Sequence, residues 1–499
     1  MTLLLVSAGR CQFCHRTADE VDQMLAGDSS FICDRCAQTC AAALAPRAAP
    51  TGIDADRADR YVFQRLMRHF APYRAHEMLA TSRTFPSRQQ ADLQLALDEL
   101  LGERRVPETF LGLQAQYRHE SVGYSKLLEQ SRGAAEIAPA QFEEVDIGEG
   151  GAVRCLKNGL WLLRDGEMPY VVTLAQIEDY QGGSRIALEV AAPPGEHGAA
   201  VSTRVFDAIE KRLSTQSCYR GRVLSLEQAY QWSGHARRIQ IHQLEPVERD
   251  ALILPEATIA AIQRNVLKFA EHRPALRALG LSTQKGLLFC GPPGTGKTHC
   301  IRYLAGSLKG HTTLLITAEQ VGLLAEYMSL ARLLQPTMIV IEDADLIARE
   351  RTQMTSDCDE VMLNKLLNEL DGLREKADVF FILTTNRPEM LEPALVSRPG
   401  RIDQAIDFPL PDAELRRRLI SLYARDLPVT ATLVDELAQR TDGASPAFIK
   451  ELMRRIAQHN LEAGTGRSVT HAVAEAALHE MLFSGGVLNK RLLGGAAVQ

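Results

Sequence analysis

The chain has 499 residues, 45% of them apolar, with 56 basic and 62 acidic side chains and a net charge of −6. That length corresponds to roughly three to four domains, the apolar share excludes a disordered chain, and the mild acidity argues against nucleic-acid binding over the whole surface. No run approaches the roughly 18 apolar residues that cross a bilayer, and Leu3-Leu4-Leu5-Val6 lacks the basic lead-in of a signal peptide, so a cytoplasmic protein with reduced thiols and no membrane partner is expected.

Five of the ten cysteines fall between Cys11 and Cys40. Cys11-Gln-Phe-Cys14 and Cys33-Asp-Arg-Cys36 form two C-x₂-C pairs with 18 residues between them. Two such knuckles place four thiolates at the corners of a tetrahedron about 2.3 Å from one Zn²⁺. So short a segment cannot fold on apolar burial alone, and the metal would supply its folding energy. Cys40 and His15 are read as bystanders, because four thiolates already close the site. Cys155, Cys218, Cys290, Cys300 and Cys358 stand singly and read as packing residues.

An Ala/Pro-rich linker follows from Ala41 to Pro50, and from Ile53 to about Leu128 apolar residues recur at helical spacing. Between Arg57 and Arg88 seven arginines meet only Asp59 and Glu77, with Tyr61, Phe63, Phe70 and Tyr73 interleaved. This stretch is either a surface for nucleic acid or an acidic partner, or an amphipathic helix with a solvated arginine face. An acidic, Gly-rich break at Glu143 to Gly151 precedes short β-favouring runs, which predict a small α+β domain up to about Leu244.

From Leu254 onward strand and helix patterns alternate. Apolar strands at Gly286–Cys290, Thr313–Thr317, Met338–Ile341 and Val379–Thr384 predict a parallel sheet covered on both faces. After Asp412 only helices are expected: Ala413–Leu427, Thr432–Arg440, Ser445–Leu461 and about Thr470–Leu482. Between the first strand and its helix lies Gly291-Pro292-Pro293-Gly294-Thr295-Gly296-Lys297-Thr298, which matches G-x-x-x-x-G-K-[ST]. Glycines let successive backbone N–H groups converge on phosphates, Lys297 can reach the β- and γ-phosphates, and the Thr298 hydroxyl can ligate Mg²⁺. The strand end Met338-Ile-Val-Ile-Glu342-Asp343-Ala-Asp345 supplies carboxylates for the other half of the site, Glu342 for the Mg²⁺ shell and Asp343 for the attacking water.

At this point the sequence resembles the AAA family of ATPases, in the branch of FtsH and the proteasomal ATPases, over roughly Leu254 to Leu482. The resemblance rests on the loop and strand end above and on Leu383-Thr-Thr-Asn-Arg-Pro388, Glu392-Pro-Ala-Leu395, Ser397-Arg-Pro-Gly-Arg-Ile-Asp403, Phe408-Pro-Leu-Pro-Asp412 and Gly443-Ala-Ser-Pro-Ala447. It implies that Asn386 orients the water near the γ-phosphate. It also implies that Arg398 and Arg401 are arginine fingers reaching a neighbour's ATP, hence a homo-oligomeric ring, usually a hexamer. Cys11-Gln-Phe-Cys-His-Arg-Thr-Ala-Asp-Glu-Val21, Leu25-Ala-Gly27 and Phe31-Ile-Cys-Asp-Arg-Cys36 resemble the N-terminal zinc-binding domain of ClpX, which receives substrates and adaptors. The sequence has no H-E-x-x-H, so the resemblance to FtsH does not extend to its metalloprotease.

Two departures stand out. The family has Asp then Glu at the catalytic strand end, whereas here Glu342 precedes Asp343. Asp is one methylene shorter, which sets its carboxylate roughly 1.5 Å further back, and an error of about 1 Å can cost on the order of a hundredfold in rate unless the backbone adjusts. The family's unfoldases also carry an aromatic-hydrophobic-Gly pore loop, which is missing between Glu319 and Gln335. Tyr327 is the only aromatic there, and its spacing from Leu323, Leu324 and Leu330 reads as core.

The expected whole is a multidomain α/β protein. It comprises a small four-cysteine zinc domain (1–45), a linker and helical region (46–142), a small α+β domain (143–248), a P-loop AAA+ parallel α/β core (249–411), a helical lid (412–484) and a tail (485–499). Its cofactors would be ATP, Mg²⁺ and Zn²⁺, and it would use hydrolysis to remodel an unidentified protein substrate brought by the zinc domain or an adaptor. The alternatives are a nucleotide-gated scaffold with negligible turnover and a remodeller of nucleic acid acting through the Arg57–Arg88 stretch.

Overall fold

The computed structural model describes residues 4–6, 9–26, 31–38, 61–102, 109–114, 122–130, 134–178, 184–228, 236–349, 377–391, 402–464 and 468–484. Among the described residues no helix is long and apolar enough to cross a membrane. Two compact units divide the chain, one holding Met1–Glu77 with Ser125–Ala138 and the other Met78–Tyr124 with Pro139–Gln499.

In the first unit, β1 (Leu4–Val6), β2 (Met24–Ala26) and β3 (Phe31–Cys33) form a small antiparallel sheet in the order β1-β2-β3. Among the described residues its buried centre is Cys11, Met24 and Cys33, with Ala18, Val21, Phe31 and Ile32 packed around them. That is far too little apolar burial to order the segment unaided. The same unit holds a helix, Val62–Phe70, that buries Val62, Leu66 and Phe70 at spacings of four residues.

The second unit contains two larger sheets. The first is antiparallel and five-stranded, built from β4 (Leu79–Pro86), β5 (Phe110–Gly112), β8 (Asn158–Asp165), β9 (Met168–Glu178) and β10 (Ser184–Ala192) in the order β4-β10-β9-β8-β5. Helices Gln90–Leu101 and Glu196–Thr215 bury Leu93, Leu97, Val201, Val205, Phe206, Ile209 and Leu213 in one core with Val172, Leu174, Ile186, Leu188 and Val190 of the sheet. A separate hairpin pairs β6 (Phe142–Asp146) with β7 (Ala152–Leu156).

Two details differ from the sequence reading. The stretch from Ile53 to Leu128 is not helical throughout, because Leu79–Pro86 pairs residue for residue with β10 and Phe110–Gly112 pairs with β8. The Thr- and Ser-rich run Leu-Ala-Thr-Ser-Arg-Thr-Phe has β-branched residues and no apolar repeat of 3.6, so sheet pairing decides its conformation. The acidic, Gly-rich break at 143–151 is itself structured: it is β6 and the tight turn into β7, closed by the Ile147 N–H donating to the Gly151 carbonyl at 2.9 Å.

The second sheet carries the nucleotide loop. It comprises β11 (Val223–Gln228), β12 (Ala236–His242), β13 (Lys285–Cys290), β14 (Thr312–Ile316), β15 (Thr337–Ile341), β16 (Val379–Thr385) and β17 (Gln404–Asp407), in the order β12-β11-β14-β15-β16-β13-β17. From β11 to β17 every neighbouring pair is parallel, and β12 closes one edge antiparallel to β11. All of β15 and β16 is buried. Alternate residues enter two different cores, Ile339, Ile341, Phe381 and Leu383 one, and Met338, Val340, Phe380 and Ile382 the other. A continuous apolar strand is what two covered faces require.

Strands β11 and β12 come from the stretch that the sequence assigned to a separate small domain. Leu224 and Leu226 are fully buried in the core of the parallel sheet. The Tyr327 phenol accepts from the Leu226 N–H at 2.7 Å and donates to Gln320 at 3.0 Å, while the Gln320 side chain donates to the Leu226 carbonyl at 2.9 Å. Tyr327 is thus a fully buried core residue that fastens this edge. The Asp92 carboxylate accepts from the Ser217 hydroxyl and from the Cys218 N–H at 2.7 Å, and so ties the five-stranded layer to the approach to β11.

Past Asp412 the chain is helical: Ala413–Ala424, Ala431–Arg440, Pro446–Glu462 and His471–His479. Each starts where an oxygen-bearing side chain accepts an N–H of the first turn: Asp412 from Leu415, Thr430 from Leu433, Ser445 from Phe448 and Thr470 from Val473. Their inner faces form one core around Ile420, Leu437, Phe448, Leu452 and Ile456.

The basic stretch is divided between the two units. Arg74 pairs with Glu77 in the first unit, whereas Arg83 pairs with Glu210 and Arg88 with Glu326 in the second. Arg57 and Arg60 lie outside the described residues, as do the linker 41–50, Cys40, Cys358 and the tail 485–499.

Candidate functional site

The phosphate loop leaves the C-terminal end of β13. Gly291 has φ +148, and a Cβ there would lie 2.3 Å from the Phe408 carbonyl oxygen, so no side chain fits. Gly296, at φ +102, caps the helix Lys297–Ser307 and turns its first amides toward the loop's concave side. The Thr295 hydroxyl donates to the Pro292 carbonyl at 2.8 Å. The Ala447 N–H, at the start of a C-terminal helix, donates to the Gly294 carbonyl at 3.1 Å and joins loop to lid.

Lys297 is only 7% exposed, and its ammonium donates to the carbonyls of Gly291 at 2.8 Å and Pro292 at 2.9 Å. Burial lowers its pKa, and the nearby carboxylates of Asp343 and Asp345 pull it back up. The Thr298 hydroxyl donates to Glu342 Oε1 at 2.9 Å. Asn386 Nδ2, at the end of β16, donates to Asp343 Oδ1 at 3.1 Å. Asp345 is buried and accepts from the Thr385 hydroxyl at 3.0 Å and from the Asn386 N–H at 3.2 Å, which fixes the end of β16 against the end of β15.

These contacts sort the two acids. Glu342 reaches the P-loop hydroxyl and Asp343 reaches the Asn386 amide. Asp343 itself has φ +49, a left-handed backbone. Together they border a cavity of about 430 Å³, between the loop, the strand ends and the lid helices. A volume in the range of about 300–1,000 Å³ suits a small-molecule ligand. Its walls include residues that the motifs did not flag: Ile253 and Leu254 from the segment before the core, and Tyr423 and Lys450 from the lid. His299 also lines it, with Nε2 3.2 Å from the Ala251 carbonyl oxygen, and burial pushes its pKa down. None of these belongs to a spaced motif, so apolar or basic character alone gave no signal. Arg398 and Arg401 lie outside the described residues.

The first unit holds the other site. The sulfurs of Cys11, Cys14, Cys33 and Cys36 all lie within 4.8 Å of one another, and those of Cys14 and Cys33 are 3.6 Å apart. Four sulfurs about 2.3 Å from one ion are separated by close to this distance, so the donor set fits Zn²⁺. The N–H of Cys33 donates to the Cys11 sulfur at 3.3 Å and that of Cys36 to the Cys33 sulfur at 3.4 Å. Burial opposes ionisation of Cys11, yet backbone N–H groups of Cys14, Cys33 and Phe13 outweigh it and bring the thiol down to about 6. The loop amides thus favour the thiolate, the ligand form, at Cys11, whereas the contact with the Cys33 sulfur, and then burial, push the Cys36 thiol up to about 12. His15 stands at φ +61 in the first knuckle and is not in this group.

Comparison with known proteins agrees with both sites. Residues 287–410 match the ATPase family associated with various cellular activities (AAA), and residues 9–45 match the ClpX C4-type zinc finger. A Cell division cycle protein 48 homolog from Archaeoglobus fulgidus is 30% identical over 236 residues, covering 44% of this chain and 32% of that protein. Two ATP-dependent zinc metalloproteases from Sphaerobacter thermophilus are similar: FtsH 2 is 34% identical over 204 residues (39% of this chain, 31% of that protein), and FtsH 3 is 33% identical over 228 (44% and 46%). The chain therefore spans between about a third and a half of the length of these curated relatives. The loop and its two acids fit ATP with Mg²⁺, and the four thiols fit Zn²⁺. The chain thus carries an AAA-family ATPase domain together with a ClpX C4-type zinc finger.

Proposed function

We propose that this chain is a cytoplasmic, ring-forming ATPase that uses hydrolysis to remodel proteins or protein complexes, with the zinc finger recruiting a substrate or adaptor. The reading rests above all on the paired contacts Thr298–Glu342 and Asp343–Asn386 at the rim of one cavity beside Lys297. Lys297, with the amides of Gly294 to Thr298, would bind the phosphates, and Thr298 and Glu342 would hold Mg²⁺. The ion supplies charge neutralisation at the β- and γ-phosphates. Asp343 and Asn386 would hold the attacking water. Its oxygen bonds to the γ-phosphorus, the bond from that phosphorus to the β–γ bridging oxygen breaks, and the Asp343 carboxylate accepts the proton, leaving ADP and phosphate.

Steady-state phosphate release with MgATP tests this directly. Turnover should be measurable in the wild type and vanish in Asp343→Asn, whose amide cannot accept the proton. Binding of nucleotide without turnover above that control would instead favour the nucleotide-gated scaffold. Arg398 and Arg401 are proposed to complete the site of a neighbouring subunit in a ring of six. Arg401→Ala should then keep nucleotide affinity while turnover falls by about 10³-fold or more, in line with the usual contribution of a finger. Equal turnover in Arg401→Ala and wild type would remove the trans finger. The burial of Tyr327 favours remodelling that does not depend on an aromatic grip at that position. The pairing of Arg83 with Glu210 and of Arg88 with Glu326 favours a protein substrate over nucleic acid.

A further inference from the structure

The reversed acids leave a question of reach, because Asp343 must do with one methylene less what a glutamate does from the same strand end. Three hydrogen bonds fix it. Its carboxylate accepts from Asn386 at 3.1 Å, its carbonyl accepts from the Leu346 N–H at 2.8 Å, and its own N–H donates to the Thr384 hydroxyl oxygen at 3.0 Å. The third bond is unusual in its setting. Thr384 is 3% exposed on β16, directly after the apolar run Val-Phe-Phe-Ile-Leu, and it borders the same cavity as Asp343. Its neighbour Thr385 spends its hydroxyl on the buried Asp345, whereas the Thr384 oxygen is turned to the backbone of the reacting acid.

We propose that Thr384 is a positioning residue that holds Asp343 in its left-handed backbone conformation, and so carries the shorter carboxylate to Asn386 and the attacking water. The inference rests on the hydrolytic reading given above. A left-handed backbone redirects the Cα–Cβ bond, which no choice of rotamer can do, because χ1 turns about that bond. Aspartate enters this region several times more readily than most residues, so the residue type at 343 and its φ of +49 belong together. A strained conformation persists only where its surroundings hold it, and the Thr384 oxygen is the group on β16 that holds the amide.

Thr384→Val keeps the shape and removes the acceptor. We expect turnover at saturating ATP to fall about tenfold, between the loss of one hydrogen bond and a displacement of a full ångström, with nucleotide affinity within about twofold of wild type. Thr384→Ser should restore turnover. In an Asp343→Glu background, where the longer side chain no longer needs the redirected backbone, the same valine should cost less than about threefold, a coupling that a merely structural role would not produce. Deuterium exchange in the full chain, followed in peptides spanning 341–346, gives a readout independent of turnover: the Asp343 amide should lose protection in Thr384→Val and regain it in Thr384→Ser. If wild type hydrolyses ATP and Thr384→Val does so equally fast, the inference is overturned while the ATPase stands. If wild type hydrolyses none, the ATPase reading falls, and unchanged exchange in Thr384→Val would overturn the positioning role as well.

Discussion

Lys297→Ala is expected to raise the dissociation constant for ATP by at least about a hundredfold. The ammonium is the one buried cation of the phosphate loop, and in the structure it is held at the loop's inner side by the carbonyls of Gly291 and Pro292. Charge-assisted hydrogen bonds to phosphate contribute about 1.5–3 kcal/mol each, and two of them correspond to two or more powers of ten in affinity. Alanine also leaves Asp343 and Asp345 without their compensating ammonium, so the phosphates of MgATP would meet two carboxylates with one cation fewer between them. Titration of the purified chain with a fluorescent ATP analogue measures the loss, and a thermal melt shows whether the fold is kept. Affinity within threefold of wild type would mean that the loop's amides alone carry phosphate binding.

Removing the metal from the Cys11, Cys14, Cys33 and Cys36 cluster should unfold residues 9–38 and leave the second unit folded. The apolar centre of this segment amounts to Met24 and two of the cysteines themselves, which cannot offset the entropy of ordering about thirty residues. Apparent zinc binding energies of about 10–16 kcal/mol can. Treatment with a strong chelator, or Cys33→Ser, should therefore abolish exchange protection across both knuckles. Nucleotide affinity should stay unchanged, since no residue of the P-loop cavity belongs to the first unit. Acidification should act in the same direction, because the ligands must be thiolates and protons compete with the metal. A purified chain that contains no zinc and still protects these amides would contradict the assignment.

Much of both sites was legible in the sequence because their chemistry imposes spacing. Four cysteines in two C-x₂-C pairs, the loop from Gly291 to Thr298 and the acids at the end of an apolar strand are local patterns, and the fold brings together what they implied. The C-terminal helices were legible to within a few residues, since Asp412, Thr430, Ser445 and Thr470 mark their starts by cap chemistry. What was hidden is non-local. The run Val-Leu-Ser-Leu at β11 lies in the stretch read as a small α+β domain, and nothing in it says that its partner is β14, some ninety residues on, and not a neighbour in the upstream layer. Leu79–Pro86 was read as helical for a similar reason, its strand partner β10 lying about a hundred residues away. Tyr423 and Lys450 came to the cavity by the folding of the lid, and the φ of Asp343 is a property of the backbone that no residue count reveals.

The pairing of β11 with β14 also bears on where this ATPase begins as a thermodynamic object. The family match starts at residue 287, but β14 would be an edge strand in a chain cut there, with the row of backbone groups that now face Val223 and Leu224 left open. Unpaired, apolar edge strands template association with other chains. The strands β11 and β12 therefore move this edge of the ATPase sheet from apolar β14 to β12, which carries the charged Arg238, and Tyr327 and Asp92 tie them to both layers. The shortest stretch in which β14 keeps a paired edge therefore starts well upstream of the motifs that mark the ATPase domain.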